Sequence, residues 1–339
     1  MHTLQPDISE NEMLERWPEL LSILLRDQTL STDNRPVNIF WATNNYADRG
    51  AGYQYHDPIT PAAITGMNGR VIRPRAVKSH EMQRRRRREM AEVFTPSWIC
   101  NKQNNLVDNA WFGHDGVFNV EVDRPDGSHS WTPTEAKITF PAGKTWRDYV
   151  GENRLEITCG EAPYLASRYD TVTGEPIPTA QRIGLLDRKL RIVSENTVTP
   201  DDWLRAARLA YESVYGYEWQ GDNLVLAREN LLYTFMDYYE AKFGKMPPLL
   251  ALHDVALIIS WNVWQMDGLK GVVPGSCRCV RQRQPGLFDT RETVTQCEGC
   301  RTGDIHKHNG VYCKVMDWRR HEAQPYVYLL SKRKVVWSR

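Results

Sequence analysis

Three short segments carry carboxylates in settings suited to ligand binding. Glu156 lies in the strand-like Leu155–Thr158 stretch, at an acidic strand end that runs into a turn of small residues from Cys159 through Gly160 and Ala162 to Pro163. Such a turn lets the backbone approach a ligand closely, and Glu156 can meet a cationic or hydroxyl-bearing group. Glu218 ends the segment Tyr215-Gly216-Tyr217-Glu218 and is followed by Trp219. In nucleotide-binding α/β folds a carboxylate there accepts both ribose hydroxyls, each charge-assisted bond contributing about 1.5–3 kcal/mol, and Trp219 can pack on an adenine ring. Asp267, in the segment from Ile258 to Leu269, is placed to accept a hydrogen bond from an exocyclic amine. A fourth segment, Phe94-Thr95-Pro96, precedes a helix expected through Trp98 and Leu106.

Thiols form a second constellation. Five of the 7 cysteines fall between Cys277 and Cys313, as Cys277-x-Cys279, Cys297-x-x-Cys300 and Cys313, with His306 and His308 nearby. An odd total in a chain long enough to bury a core does not suit a disulfide framework, so a metal site is favoured, with metal-free thiols as the alternative. A Cys-x-x-Cys knuckle puts two sulfurs on one small turn, and a tetrahedral zinc then needs two more soft ligands. Cys277, Cys297, Cys300 and Cys313 are the expected set. That set is closed, which suits a structural rather than a catalytic ion.

The elements that position these groups follow from pattern. Ser9 and Glu12 have capping-box spacing before apolar residues at helical period through Leu25, which predicts one N-terminal amphipathic helix. Residues 29–69 have no sustained period and read as irregular. Arg84–Arg88 reads as a helix whose five guanidinium groups cannot share one face, serving either as a solvated surface or as phosphate contacts. His114–Lys144 reads as a hairpin or insertion. From Trp146 strand, turn and helix alternate, the sequence form of a sheet with crossover helices: helices over Gln181–Val193, Trp203–Tyr211 and Asp222–Phe243, a strand over Ser213–Glu218 and a C-cap at Gly244. His253, in an apolar helical stretch, is expected to be a core histidine.

Composition sets bounds. The 41% hydrophobic and 25% charged residues, with mean hydropathy −0.56, describe a globular chain rather than a disordered one. Its 43 basic and 42 acidic residues leave +1 overall, so nucleic-acid contact must come from local clusters. No apolar run approaches the length of a bilayer span, and a cytoplasmic location with no membrane contact is expected.

Taken in order, the four segments resemble the cofactor half of the amino-methylating DNA adenine methyltransferases, in particular restriction endonuclease subunit M and related modification subunits. The resemblance covers roughly residues 92–271. It implies that Phe94, Thr95 and Pro96 meet the methionine part of S-adenosylmethionine. Glu156 through Ala162, including Cys159 and Gly160, is similar to the family's glycine-rich cofactor loop, with Ala162 in place of its last glycine and Ile157 in place of the usual proline. Glu218 corresponds to the ribose-binding acid, and Asp267, Gly268 and Leu269 to the turn that reads the adenine amine.

The family's Asp/Asn-Pro-Pro-Tyr/Phe turn, which grips the flipped base, has no counterpart. Pro247-Pro248 lies between Met246 and Leu249 and precedes Asp267, so its chemistry and its order are both wrong, and Gln324-Pro325-Tyr326 is a distant echo. The expected architecture is therefore α/β: a helical or irregular N-terminal region (1–90), a Rossmann-like S-adenosylmethionine-dependent methyltransferase core (91–272) and a Cys-rich, zinc-binding appendage (273–339). The expected function is S-adenosylmethionine binding within a DNA adenine-specific methyltransferase of a restriction-modification system, with DNA and a second polypeptide carrying the catalytic and target-recognition regions as partners. The alternative is a catalytically inactive, DNA-associated or assembly module.

Overall fold

The computed structural model describes residues 8–90, 92–285 and 290–331. The N-terminal apolar stretch forms two helices, α1 (Glu10–Arg16) and α2 (Pro18–Leu24), instead of one. Pro18 is the reason: it disfavours helical geometry at the preceding residue, and Trp17 sits at φ −147°, ψ 64°. Ser9 caps α1 by accepting the Glu12 N–H. Residues 26–79 are mostly irregular, with the short α3 (Pro61–Ile64), 3-10 turns and isolated bridges such as Phe40 with Pro58.

Next come α4 (His80–Met90), which contains the arginine run, and α5 (Ser97–Phe112), closed by Gly113 at φ 81°. The polar stretch that follows holds an antiparallel hairpin of β1 (Asn119–Asp123) and β2 (His129–Pro133). After α6 (Trp146–Val150) the chain alternates: β3 (Arg154–Glu156), α7 (Leu185–Asn196), α8 (Pro200–Glu212), β4 (Val214–Glu218), α9 (Gly221–Phe243), α10 (Leu249–Asn262) and β5 (Val263–Gln265). These three strands form one parallel sheet in the order β3-β4-β5, each joined to the next through a helix pair. β3 stops two residues short of Thr158, which turns the chain at φ 46°. α7 begins later than periodicity predicts, after a 3-10 turn at Thr179–Gln181.

Beyond the sheet lie an antiparallel pair, β6 (Val280–Pro285) and β7 (Thr290–Thr295), the short α11 (Glu298–Thr302), a second pair, β8 (Lys314–Asp317) and β9 (Glu322–Pro325), and α12 (Tyr326–Ser331). The molecule is thus mixed α/β. Among the described residues no helix is long and apolar enough to cross a membrane.

One large apolar core unites the early helices with the sheet and its crossover helices: Leu20, Leu24 and Trp41 share it with Leu186, Trp203, Leu224 and Val255. Arg228, fully buried on α9, fastens these layers by donating to the carbonyls of Leu24, Arg26, Ser260 and Val263. Four charge-assisted bonds to carbonyls replace the water that a guanidinium loses on burial. His253 is not in this core. It lies at the surface of α10 with Nε2 3.4 Å from Glu19, because it falls on the solvent side of a helix whose buried face is carried by Leu252, Val255, Ala256 and Ile259.

Candidate cofactor cleft and candidate metal centre

β3 and β4 run in parallel with Glu156 opposite Gly216, so both strands deliver their following turns to the same end of the sheet. A cleft of ≈ 740 Å³ opens there, lined by residues from three distant segments: Arg88 and Glu92 to Thr95, Glu156 to Gly160 with Pro163 and Tyr164, and Glu218 to Gln220 with Asn223. That volume falls in the roughly 300–1,000 Å³ range of small-molecule sites, and the carboxyl ends of parallel strands are where open α/β sheets bind ligands.

Glu218 is 7% exposed and holds the two turns together. One carboxylate oxygen accepts the Gly160 N–H at 2.9 Å and the other the Gln220 N–H at 3.1 Å. A carboxylate offers about four lone-pair directions, so capacity remains for a ligand's hydroxyls. Burial raises its pKa above the ordinary carboxylate range, opposed by the N–H groups of Gln220 and Gly160. Glu156, equally buried, accepts from the Tyr164 and Leu165 N–H groups. Burial pushes its pKa well up despite those bonds, and the charge of Glu218 adds to the rise. Burial likewise pushes the Cys159 thiol well up, helped by Glu156 and Glu218, which keeps that sulfur protonated.

Gly160 has φ 55°, and a Cβ there would meet the Phe94 ring at 3.3 Å. The positive φ and the tight space both suit glycine where Phe94 lies over the turn, while the Arg75 guanidinium sits 5.5 Å from the centroid of the same ring. Thr95 is anchored through its carbonyl by the Thr171 hydroxyl. Trp219 forms part of the wall with its indole N–H donating to the Ala42 carbonyl at 3.2 Å.

The structure therefore brings Phe94, Thr95, Glu156, Cys159, Gly160, Glu218 and Trp219 to one cleft, but leaves four other expected residues off its lining. Pro96 caps α5. Ala162 is fully buried under the turn and takes φ 61°, a conformation that glycine adopts freely. Asp267 and Gly268 lie past β5, and both oxygens of Asp267 are engaged in its own turn: one accepts the Leu269 N–H and the other pairs with Lys270 at 3.1 Å. Its role is to shape that turn. Gln324-Pro325-Tyr326 spans the junction of β9 and α12, where Tyr326 packs 5.6 Å from Trp264 and 6.1 Å from Tyr217, which makes it a packing residue.

Tyr164, Gln220 and Asn223 also line the cleft, although no motif singles them out, as does Arg88 from the end of the arginine run. The available signal was positional, since Gln220 and Asn223 follow Glu218 and open α9. Of the arginine run, Arg84, Arg85, Arg87 and Arg88 are exposed, whereas Arg86 is 1% exposed and turned inward.

The thiol cluster differs from the expected set at one ligand. Cys277, Cys297, Cys300 and His308 present their ligand atoms within 4.8 Å of one another, a group that could hold a metal ion. His308 Nδ1 lies 3.6 Å from Cys277 Sγ, 3.6 Å from Cys297 Sγ and 3.7 Å from Cys300 Sγ. A tetrahedral zinc with bonds of about 2.3 Å to sulfur and 2.0–2.1 Å to nitrogen would space N and S about 3.5–3.6 Å apart. Cys313 is excluded by topology: it begins the approach to β8, fully buried in a second apolar cluster with Trp264 and Val315, its thiol 3.3 Å from the Gln265 carbonyl.

Two glycines make room for this knot. A Cβ on Gly299 would fall 2.6 Å from His308 Nδ1, and one on Gly310 2.6 Å from Ser276 Oγ and 3.1 Å from Cys277 Sγ. Tyr312 orients the histidine's backbone, accepting the His308 N–H at 2.9 Å while donating to the Ile305 carbonyl. Burial and the neighbouring Cys300 and Cys297 push the Cys277 thiol up to about 12. Burial acts the same way on Cys297, but the N–H groups of Cys300 and Asn309 outweigh it and bring that thiol down to about 6. One sulfur is thus predisposed to be a thiolate, the form that binds metal. Compared with protein families, curated proteins and solved structures, the chain matches none.

Proposed function

We propose that this chain is the S-adenosylmethionine-binding half of a DNA adenine-specific methyltransferase, and that its parallel sheet is part of a Rossmann-like core. One observation carries the reading: segments 92–95, 156–164 and 218–223, separated by tens of residues, converge on one cleft with the chemistry that such a ligand needs. Glu218 accepts the ribose hydroxyls, and Trp219 packs on the adenine. Phe94 and Thr95, with Arg88 at the rim, receive the amino-acid end. Gly160 keeps the floor flat where a Cβ would press on the Phe94 ring at 3.3 Å. The cofactor, when bound, supplies the electrophilic methyl group; the chain's own residues bind it, orient it and shield it from water.

Transfer to an exocyclic amine also needs groups that hold the acceptor in line, and such positioning accounts for several kcal/mol of a barrier. No residue set in this cleft resembles a grip for a flipped adenine. A second polypeptide supplies that turn and the target recognition. The Cys277/Cys297/Cys300/His308 set binds a structural zinc that pins the three segments carrying those ligands together, beside the backbone bridges Asp267–Val272 and Val272–Tyr312 that join this region to the turn of Asp267.

The test is transfer of labelled methyl groups to adenine-containing duplex DNA by the purified chain, alone and with a polypeptide bearing an Asn-Pro-Pro-Tyr-type turn. Transfer only with the second chain is expected. Robust transfer by the chain alone would overturn the split arrangement, and failure to bind the cofactor at all would overturn the reading itself.

A further inference from the structure

The arginine run stands beside the cleft, and the proposed function gives a task to Arg88 but not to the other four. Its middle member is the exception among its neighbours. Arg86 projects from α4 into the protein and reaches both sides of the cleft at once. On one side its Nε donates to the Glu92 carboxylate, two residues before Phe94. On the other its Nη2 lies 2.8 Å from Asp222 Oδ2 and 3.3 Å from both Gln220 Oε1 and Asn223 Oδ1. Gln220 and Asn223 belong to the cleft wall, as does Glu92.

The two walls also meet through the turn between them, where Phe94 rests on Gly160 and Glu218 accepts the Gly160 N–H. Thr95 and Ser97 are tied to the Asp170–Thr171 turn, and Phe94 rests on Gly160, so the far half of the 92–97 segment has anchors of its own. Val93 is 73% exposed, and Arg86 joins Glu92 directly to the α9 side of the cleft, with buried Lys78 standing 3.9 Å from Asp222. Tyr46 adds a second support to Asp222, donating its hydroxyl at 2.8 Å. The fork geometry of a guanidinium suits this bridging of a carboxylate on each side, whereas a lysine ammonium is a point charge that cannot span four acceptors.

We infer that Arg86 is the positioning residue of the cleft, clasping the Phe94–Thr95 wall to the Glu218–Asn223 wall so that both meet one ligand in a fixed spacing. The identity of that ligand rests on the cofactor reading above; the clasp itself does not. Its absence leaves Glu92 without its hydrogen-bonded ion pair and Asp222 with the Lys78 ammonium at 3.9 Å in place of a guanidinium at 2.8 Å, which drives the walls apart toward water.

The experiment compares wild type with Arg86→Lys, which retains the charge, and Arg86→Ala. Calorimetry with S-adenosylmethionine is run beside the 19F resonance of 4-fluorophenylalanine at Phe94, assigned with Phe94→Leu, in the ligand-free protein. Arg86→Lys is expected to stay folded, with a melting temperature close to wild type. It should bind about tenfold more weakly, the scale of one charge-assisted hydrogen bond, and its Phe94 resonance should move toward that of solvent-exposed fluorophenylalanine. If Arg86→Ala does not fold, Arg86→Lys and Glu92→Gln carry the test. A lysine variant with wild-type affinity and an unmoved Phe94 resonance would overturn the clasp and leave Arg86 a fold-stabilising residue. A wild type that binds no S-adenosylmethionine would remove the cofactor reading, while the resonance would still decide the role of Arg86.

Discussion

The cleft and the thiol knot are assembled by opposite means. The cleft draws on residues from Arg88 to Asn223, held in place by a parallel sheet, a buried core and the hydrogen bonds of two buried carboxylates. The knot draws on Cys277 to His308, and its shape comes from tight turns, two glycines and the ligand atoms themselves. The cleft should therefore exist before any ligand arrives and lose affinity in steps as single contacts are removed. The knot has little apolar core of its own, so its order should depend on the ion as a whole. Preorganisation and, with an ion in the proposed site, metal-coupled folding are the two regimes the comparison sets side by side.

Removing the ion should give the largest effect. Structural zinc in small modules contributes on the order of 10 kcal/mol of binding free energy that is also folding free energy. Chelation, or Cys297→Ser with Cys300→Ser, should make the region after Val272 sensitive to protease while S-adenosylmethionine affinity stays within about twofold. Cys313→Ser should leave the metal content unchanged. Elemental analysis and limited proteolysis read these outcomes, and loss of metal in Cys313→Ser would restore the ligand set expected from sequence. Gly299→Ala should also weaken metal binding, since its Cβ would collide with the His308 ring.

Within the cleft, Glu218→Ala should weaken cofactor binding by about one to two orders of magnitude, the equivalent of losing about 1.5–3 kcal/mol. The pH dependence sharpens this. The pKa of Glu218 is raised by burial, so the carboxylate takes up a proton at a higher pH than a free glutamate does, and the hydroxyl-accepting form declines as pH falls through that raised value. Affinity should drop on acidification for wild type and stay flat for Glu218→Gln. The same shift has the reverse sign for stability. A carboxyl whose folded pKa lies above its unfolded value stabilises the fold below the unfolded pKa, and that contribution is lost as pH rises through the folded one; Glu156 and Glu218 both act this way.

The smallest expected effect lies at Thr158, an exposed non-glycine residue at φ 46°. Left-handed geometry there costs about 1–2 kcal/mol, and glycine recovers it less the added freedom of its unfolded chain. Thr158→Gly should raise stability by up to about 1 kcal/mol in a denaturant titration. A marked loss would show that the Thr158 side chain supports the cleft.

What could be read from the sequence follows the same division. The strand end at Glu218 was legible, and that at Glu156 to within two residues, because each is a local pattern, an acidic residue near the close of a short run before a turn. That both face one cleft with Phe94 required the sheet, whose pairing links residues about 60 apart and leaves no periodic trace. Asp267 shows the limit: its segment suggested a ligand acceptor, yet it lies off the cleft lining and pairs with Leu269 and Lys270, neighbours whose effect a spacing pattern does not weigh. In the knot, Cys-x-x-Cys spacing identified two ligands, but the choice between Cys313 and His308 turned on a strand approach that buries Cys313 and a glycine that admits the imidazole. Arg86 was hidden in plain composition, because five identical residues give no sign of which one turns inward. The single break at Trp17-Pro18 was legible, and the helical period across it argued the other way.

The central claim is that the cleft is a preorganised S-adenosylmethionine site held by Glu218. The most direct measurement is isothermal titration calorimetry of the purified, zinc-replete chain with S-adenosylmethionine, wild type beside Glu218→Ala, both shown to be folded by their melting curves. Saturable binding of one equivalent by wild type, weakened at least tenfold in the variant, is the predicted result. Absence of binding by wild type, or equal affinity in the two proteins, would contradict the account.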